Sequence, residues 1–186
     1  MMASGYGYVA SLFPEVDLIS DEVLRQAVAN TWLALLESSE YERIEDCPYS
    51  LDPKVEINLV EHVRATTRAV IAVADVLLEV HAINLDRDRL LSAILLHDAS
   101  KLLEWSSADG RKVKSPIGEL FPHSYLAGHY AMQQGIDPIV AHLIISHTSA
   151  THHLPRFPEG VVIHYVDMVC ADIVRAVRDL PLHLRY

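Results

Sequence analysis

Four acidic or imidazole side chains stand where a folded chain ordinarily puts hydrocarbon. On a helix, Asp167 would share a face with Ile163, Cys170 and Val174. A carboxylate in the middle of an apolar stripe is costly unless a cation or hydrogen-bond donors compensate it. Asp98 poses the same problem, closing the run LLSAILLHD one turn after Ile94 and Leu95. His147 lies at the centre of the stripe made by Val140, Leu143 and Ile144, and His62 borders that of Leu59, Val63 and Thr66. Imidazole nitrogen and carboxylate oxygen are the usual ligands of divalent metals, so a metal ion is the simplest common partner. Each residue alone has a plainer reading. A lone histidine on an apolar face is ordinarily a satisfied core residue, an His-Asp doublet arises by chance, and Asp167 could instead pair with Arg64 or Arg68. The joint pattern is what points to metal.

The elements that must position these groups read as helices. Apolar residues recur mostly at helical spacing, and long alternating runs are missing. A first helix is expected from after Ser20 to about Glu37, with Asp21 and Glu22 in its first turn. Residues 38–53 carry charges and two prolines and read as loop. A long helix is expected from about Lys54 to His81, apolar nearly all round beyond Ala69, as in a central buried helix. Another should span Asp86 to Trp105, followed by a turn at Asp109-Gly110. Helices from Pro122 to Gly135, from Asp137-Pro138 to Ser149, and from Gly160 to Leu180 complete the reading. The fold class is therefore all-α, a helical bundle with at most one small β-hairpin. Residues 1–186 read as one domain, with a core over about 55–178 and the 20–37 helix packed on it.

Composition sets outer bounds. The net charge of −10 argues against a dedicated nucleic-acid binder, which would neutralise phosphates with clustered Lys and Arg. It leaves room for a small phosphorylated substrate, because a bound metal inverts the local field. No basic segment followed by an apolar run opens the chain, and no apolar stretch approaches the ~20 residues of a membrane helix. Cys47 and Cys170 form no CxxC motif. The expectation is a cytoplasmic protein with no membrane partner, for which a homodimer is allowed.

The order His62, then His97-Asp98, then Asp167, each on its own helix, resembles the H…HD…D signature of HD-domain metal-dependent phosphohydrolases. LLHDASK is similar to that superfamily's LLHD-x-x-K helix, and VVIHYVDMVCADI is similar to its closing helix; the likeness runs from about Val55 to Arg178. His123 and His147 are placed like the extra histidines of the binuclear subgroup. The resemblance implies an HD-type bundle in which Asp98 bridges two divalent ions (Fe, Mn or Zn). His62, His97 and Asp167 would hold one ion, and His123 with His147 the other. The words ELFPHSYLAGHYAMQQGI and HTSA resemble the bacterial HD-type hydrolases of diadenosine tetraphosphate. The chain departs from that pattern at Ala150, in the acidic 38–53 loop, and in a longer spacing from His62 to His97.

Other residues take lesser places. Lys101, one turn past His97, is a candidate catalytic contact to a phosphate or leaving group, beside Asp98. His152, His153 and Arg156 form a cationic loop that could recognise substrate, although a plain surface loop is the simpler reading. His129 competes with His123 for its role, while His81, His142, His164 and His183 read as structural or exposed. The function expected is hydrolysis of a phosphoester or phosphoanhydride, in a nucleotide or similar small substrate, by metal-activated water. The same ligands would serve a di-iron oxygenase acting on an organophosphonate or polyol. A non-catalytic nucleotide-sensing module is the third reading.

Overall fold

Side-chain caps set the starts of several helices. The computed structural model describes residues 5–108 and 111–183. Here α1 (Gly5–Leu12) leads through a 3-10 turn at Pro14–Leu18 into α2 (Glu22–Glu37), whose first amides, of Val23 and Leu24, donate to the Asp21 carboxylate. α3 (Leu59–His81) opens on a capping box: the Asn58 side chain accepts from the Glu61 amide, and the Glu61 carboxylate accepts from the Asn58 amide. α4 (Arg87–Leu96) is capped by Asp86 and followed by the single turn α5 (Lys101–Glu104). Strands β1 (Trp105–Ala108) and β2 (Arg111–Lys114) pair antiparallel, with Trp105 opposite Lys114. α6 (Pro116–Leu120), α7 (His123–Gln133), α8 (Pro138–Ser146) and α9 (Pro158–Ala176) complete the order. An all-α bundle carrying a small hairpin is what forms. The expected Asp109-Gly110 turn lies outside the described residues.

The helix at the centre is α4. Every residue from Leu90 to Glu104 is buried, and α4 packs against α2, α3, α8 and α9. The indole of Trp32 on α2 stacks on Phe13 at 4.7 Å and donates to the Leu95 carbonyl at 3.1 Å. That bond fixes the backbone just ahead of His97. At the other end of α4, the Asp86 amide donates to buried Glu159 in the first turn of α9 at 2.8 Å, tying the two helix starts together. Between α7 and α8 the approach is close enough to require glycine. A Cβ on Gly128 would lie 2.8 Å from Cγ1 of Ile145.

Several expectations change. The run AVIAVADVLLEV is not a central buried helix: Val70 and Ala74 are enclosed, but Val73, Val76, Leu78 and Val80 lie outside the core. The reason is that α3 packs on α4 and α9 through one face, and its other face meets solvent. α3 also starts at Leu59 rather than Lys54, because Asn58 caps it and Pro48 bridges Asn58 in extended backbone. The helix expected over 86–105 breaks after Leu96 into successive i→i+3 turns. α1 and α6 were not expected, and α9 ends at Ala176 rather than Leu180. Among the described residues no helix is long and apolar enough to cross a membrane.

Candidate metal centre

Five elements deliver six ligand-type side chains to one place. His62 sits in the first turn of α3, His97 and Asp98 in the break after α4, His123 at the start of α7, His147 just past α8, and Asp167 midway along α9. The break matters. The amides of Ala99 and Lys101 donate to the carbonyls of Leu96 and Asp98 at 3.1 and 2.9 Å, and this tight turn sets consecutive side chains into one cluster. The Ser100 hydroxyl then donates to the His123 carbonyl and pins the start of α7. His62, His97, Asp98 and His147 are all at most 3% exposed.

Asp98 faces both ways. Its Oδ2 lies 3.4 Å from His62 Nε2 and 3.6 Å from His97 Nε2. Its Oδ1 lies 3.0 Å from His123 Nε2 and 3.8 Å from His147 Nε2. Asp167 Oδ1 closes the first side, 3.1 Å from His62 Nε2 and 3.5 Å from His97 Nε2. Among the described residues two groups of donor atoms could each hold a metal ion: His62, His97 and Asp98, and Asp98, His123 and His147.

The protons decide whether a cation belongs here. Nδ1 of His97 lies 2.6 Å from the Ile94 carbonyl, and Nδ1 of His147 lies 2.6 Å from the Ile144 carbonyl. A carbonyl only accepts, so each Nδ1 carries a hydrogen, and each ring turns its Nε2 inward. There those nitrogens lie 3.4 Å from His62 Nε2 and 3.2 Å from His123 Nε2, whose own nearest oxygens are Asp167 Oδ1 at 3.1 Å and Asp98 Oδ1 at 3.0 Å. Four ring nitrogens and two carboxylates crowded into a buried site offer more lone pairs than they have hydrogens to share, a conflict that a divalent cation resolves, so the residues fit a metal. Protonation answers the conflict on one side only. Burial works against a charge on His97, but Asp98 and Asp167 outweigh it and lift its pKa to about 8. Burial, with the charges of His97 and His123, pushes His147 down to about 3. Burial also opposes ionisation of Asp98 and Asp167. Lys101, His97 and His123 hold the first well below the usual carboxylate range, and His62 and His97 hold the second there.

Around the ligands lies an aromatic and cationic wall. The Tyr49 ring stacks on His62, centroids 3.8 Å apart, and lines the cleft above the cluster. The segment before α3 therefore covers part of the site. Lys101 is buried among Asp98, Glu104 and the rings of Tyr49 and Trp105; burial opposes its charge, but Asp98 and Glu104 raise its pKa and keep it cationic. Arg175 and His183 line an adjoining chamber of about 270 Å³ that shares Tyr49 and Lys101 with the first. Sequence reasoning missed Tyr49, Glu104 and Arg175. Glu104 carried the signal that exposed Asp98, an acid inside the apolar run KLLEW. For Tyr49 and Arg175 no such signal exists.

The remaining candidates lie elsewhere. His152, His153 and Arg156 line a separate cleft with His142 and Phe157, where the Arg156 amide donates to His142 Nε2 at 3.2 Å. His129 is exposed on another face of α7 from His123. Nδ1 of His164 lies 2.7 Å from the His147 carbonyl, a structural contact. His81 is exposed, and His183, read as structural or exposed, is exposed at the cleft mouth.

No family model and no solved structure matches the chain. Over 130 residues it is 28% identical to the dihydroneopterin 2′,3′-cyclic phosphate phosphodiesterase of Methanocaldococcus jannaschii, an alignment covering 67% of this chain and 51% of the relative. The chain thus spans about half the length of the curated relative it matches, and that distant relative is a phosphodiesterase.

Proposed function

We propose that this chain is a metal-dependent phosphohydrolase of the HD superfamily, binuclear type, that opens a phosphodiester in a small, ring-bearing, nucleotide-like substrate. The observation that carries the reading is Asp98, one oxygen turned toward His62 and His97 and the other toward His123 and His147. The phosphodiesterase relative favours hydrolysis of a phosphate ester, and its printed substrate suggests a 2′,3′-cyclic phosphate as the first compound to try. When bound, divalent ions would supply Lewis acidity at phosphorus and lower the pKa of water.

The chain's own groups have defined parts. His62, His97 and Asp167 would hold one ion and His123 and His147 the other, with Asp98 serving both. Lys101, kept cationic by Asp98 and Glu104, faces the cleft and offsets charge on the phosphate. Tyr49 closes one side against water, and the chamber beside Arg175 seats the part of the substrate that does not react. In the reaction a water oxygen bonds to phosphorus, one ester P–O bond breaks, and the leaving oxygen takes a proton. His152, His153 and Arg156 have no part in this scheme, because they line a different cleft.

The test is a panel of 2′,3′-cyclic nucleotides, diadenosine tetraphosphate and simple phosphodiesters, offered to protein loaded with Mn, Fe or Zn, with and without oxygen. Metal-dependent, oxygen-independent appearance of a phosphate monoester supports the reading. Oxygen uptake without ester cleavage replaces it with the oxygenase.

A further inference from the structure

The histidines of the cluster are not all anchored alike. His97 and His147 each close a helix, and each donates Nδ1–H to a carbonyl three residues back, Ile94 or Ile144. His123 opens a helix, directly after Pro122, so no preceding helical turn offers it a carbonyl. Its Nδ1 instead faces the carboxylate of Glu104, with Oε2 at 3.5 Å, while its Nε2 points to Asp98 at 3.0 Å.

Glu104 is itself an oddity. It is 6% exposed, and among the described residues its Oε2 has no hydrogen-bond partner. Three cationic or donor groups stand around it: Lys101 Nζ at 3.7 Å from Oε2, Lys114 Nζ at 3.9 Å from Oε1, and His123. Its backbone is held closely. The Ser115 amide donates to the Glu104 carbonyl at 2.9 Å, and a Cβ on Gly118 would lie 2.5 Å from that same oxygen. The hairpin and α6 thus lock a buried acid behind a ligand-type histidine. A carboxylate that accepts the outer N–H of a metal-binding imidazole fixes its tautomer and ring orientation, and losing such a partner costs 10- to 100-fold in metal affinity.

We infer that Glu104 is the positioning residue for His123, holding Nδ1–H so that Nε2 is presented to a metal ion shared with Asp98. The inference rests on the proposed metal centre, and it makes the ion on the His123 side dependent on a charge outside the ligand set. The ion on the His62 side has no such dependence.

Stepwise titration of metal-free protein with Zn²⁺ tests this, read by calorimetry rather than turnover. Wild type should bind two ions in resolvable steps. Glu104→Gln, which keeps the shape and removes the charge, should weaken one step 10- to 100-fold and leave the other unchanged. Lys114→Gln, which touches Glu104 from the far side, should alter neither step. Nitrogen-15 NMR of the zinc-loaded wild type should find His123 with its proton on Nδ1. Two unchanged steps in a Glu104→Gln protein that folds overturn the inference and leave the metal centre standing. Equal weakening of both steps assigns Glu104 a general structural role and also overturns it. A wild type that binds fewer than two ions overturns the binuclear reading and this inference together.

Discussion

The imidazoles of His123 and His147 meet Nε2 to Nε2 at 3.2 Å, with Oδ1 of Asp98 beside both. On the opposite side His62 and His97 meet in the same way at 3.4 Å, with Oδ2 of Asp98 beside them. One carboxylate between two histidine pairs gives an ordered set of losses. Asp98→Ala should lose both ions and all turnover. His147→Ala should lose one ion and keep the other. Elemental analysis of the two purified variants checks this, and an Asp98→Ala protein that still turns over contradicts it.

Lys101 has a different signature. It touches Asp98 and Glu104 but is not a ligand, so Lys101→Met should retain metal while turnover falls about 100-fold through lost electrostatic stabilisation of the reacting phosphate. Steady-state rates on metal-saturated protein decide it. A variant that has lost its metal would place Lys101 in the structural support of the ligands instead.

The metal-free protein should have opposed acid and alkaline limits. His97 binds its proton more tightly folded, at about 8, than unfolded, near the ordinary 6.5. Its stabilisation is therefore complete below pH 6.5 and is lost as pH rises through 8. His147, at about 3, has the opposite sign: its contribution is present above pH 6.5 and is lost as pH falls toward 3. A metal ion on His97 would take the place of its proton, so loading should remove the alkaline loss. Urea denaturation with and without chelator checks this. A metal-free protein equally stable at about pH 6.5 and pH 8.5 contradicts it.

The contact between α7 and α8 predicts a linked defect. Gly128→Val would drive its side chain into Ile145 and cost about 1–3 kcal/mol by overpacking. Because those helices carry His123 and His147, the ion on the His123 side should be lost before the ion on the His62 side. Denaturation midpoints and metal content on the same sample test the link, and loss of stability with full metal content breaks it.

How far the sequence reaches depends on what each residue's position encodes. Asp98, Asp167, His62 and His147 interrupt apolar stripes, and a buried charge inside a hydrophobic period is visible in one dimension; their meeting in one cluster follows that signal. The starts of α2 and α4 were legible to within a residue, although Asp21 and Asp86, read as first-turn residues, prove to be the caps. The environment of AVIAVADVLLEV was not, since an apolar helix face does not say whether a neighbour covers it, and here α3 leaves Val76 and Val80 in solvent. Tyr49 reaches His62 only through the bridge between Pro48 and Asn58, a tertiary event with no local period. Likewise the adjacency of His152 and His153 to His147 in sequence did not survive folding, because His152 takes a left-handed conformation and the loop turns toward His142.

The most direct test of the whole account is the rate of 2′,3′-cyclic nucleotide opening as metal is added to chelator-stripped protein. The account predicts no cleavage without metal and a rise to a plateau at about two equivalents per chain. Cleavage that is undiminished in stripped protein, or absent for every phosphodiester tried with two ions bound, would contradict it.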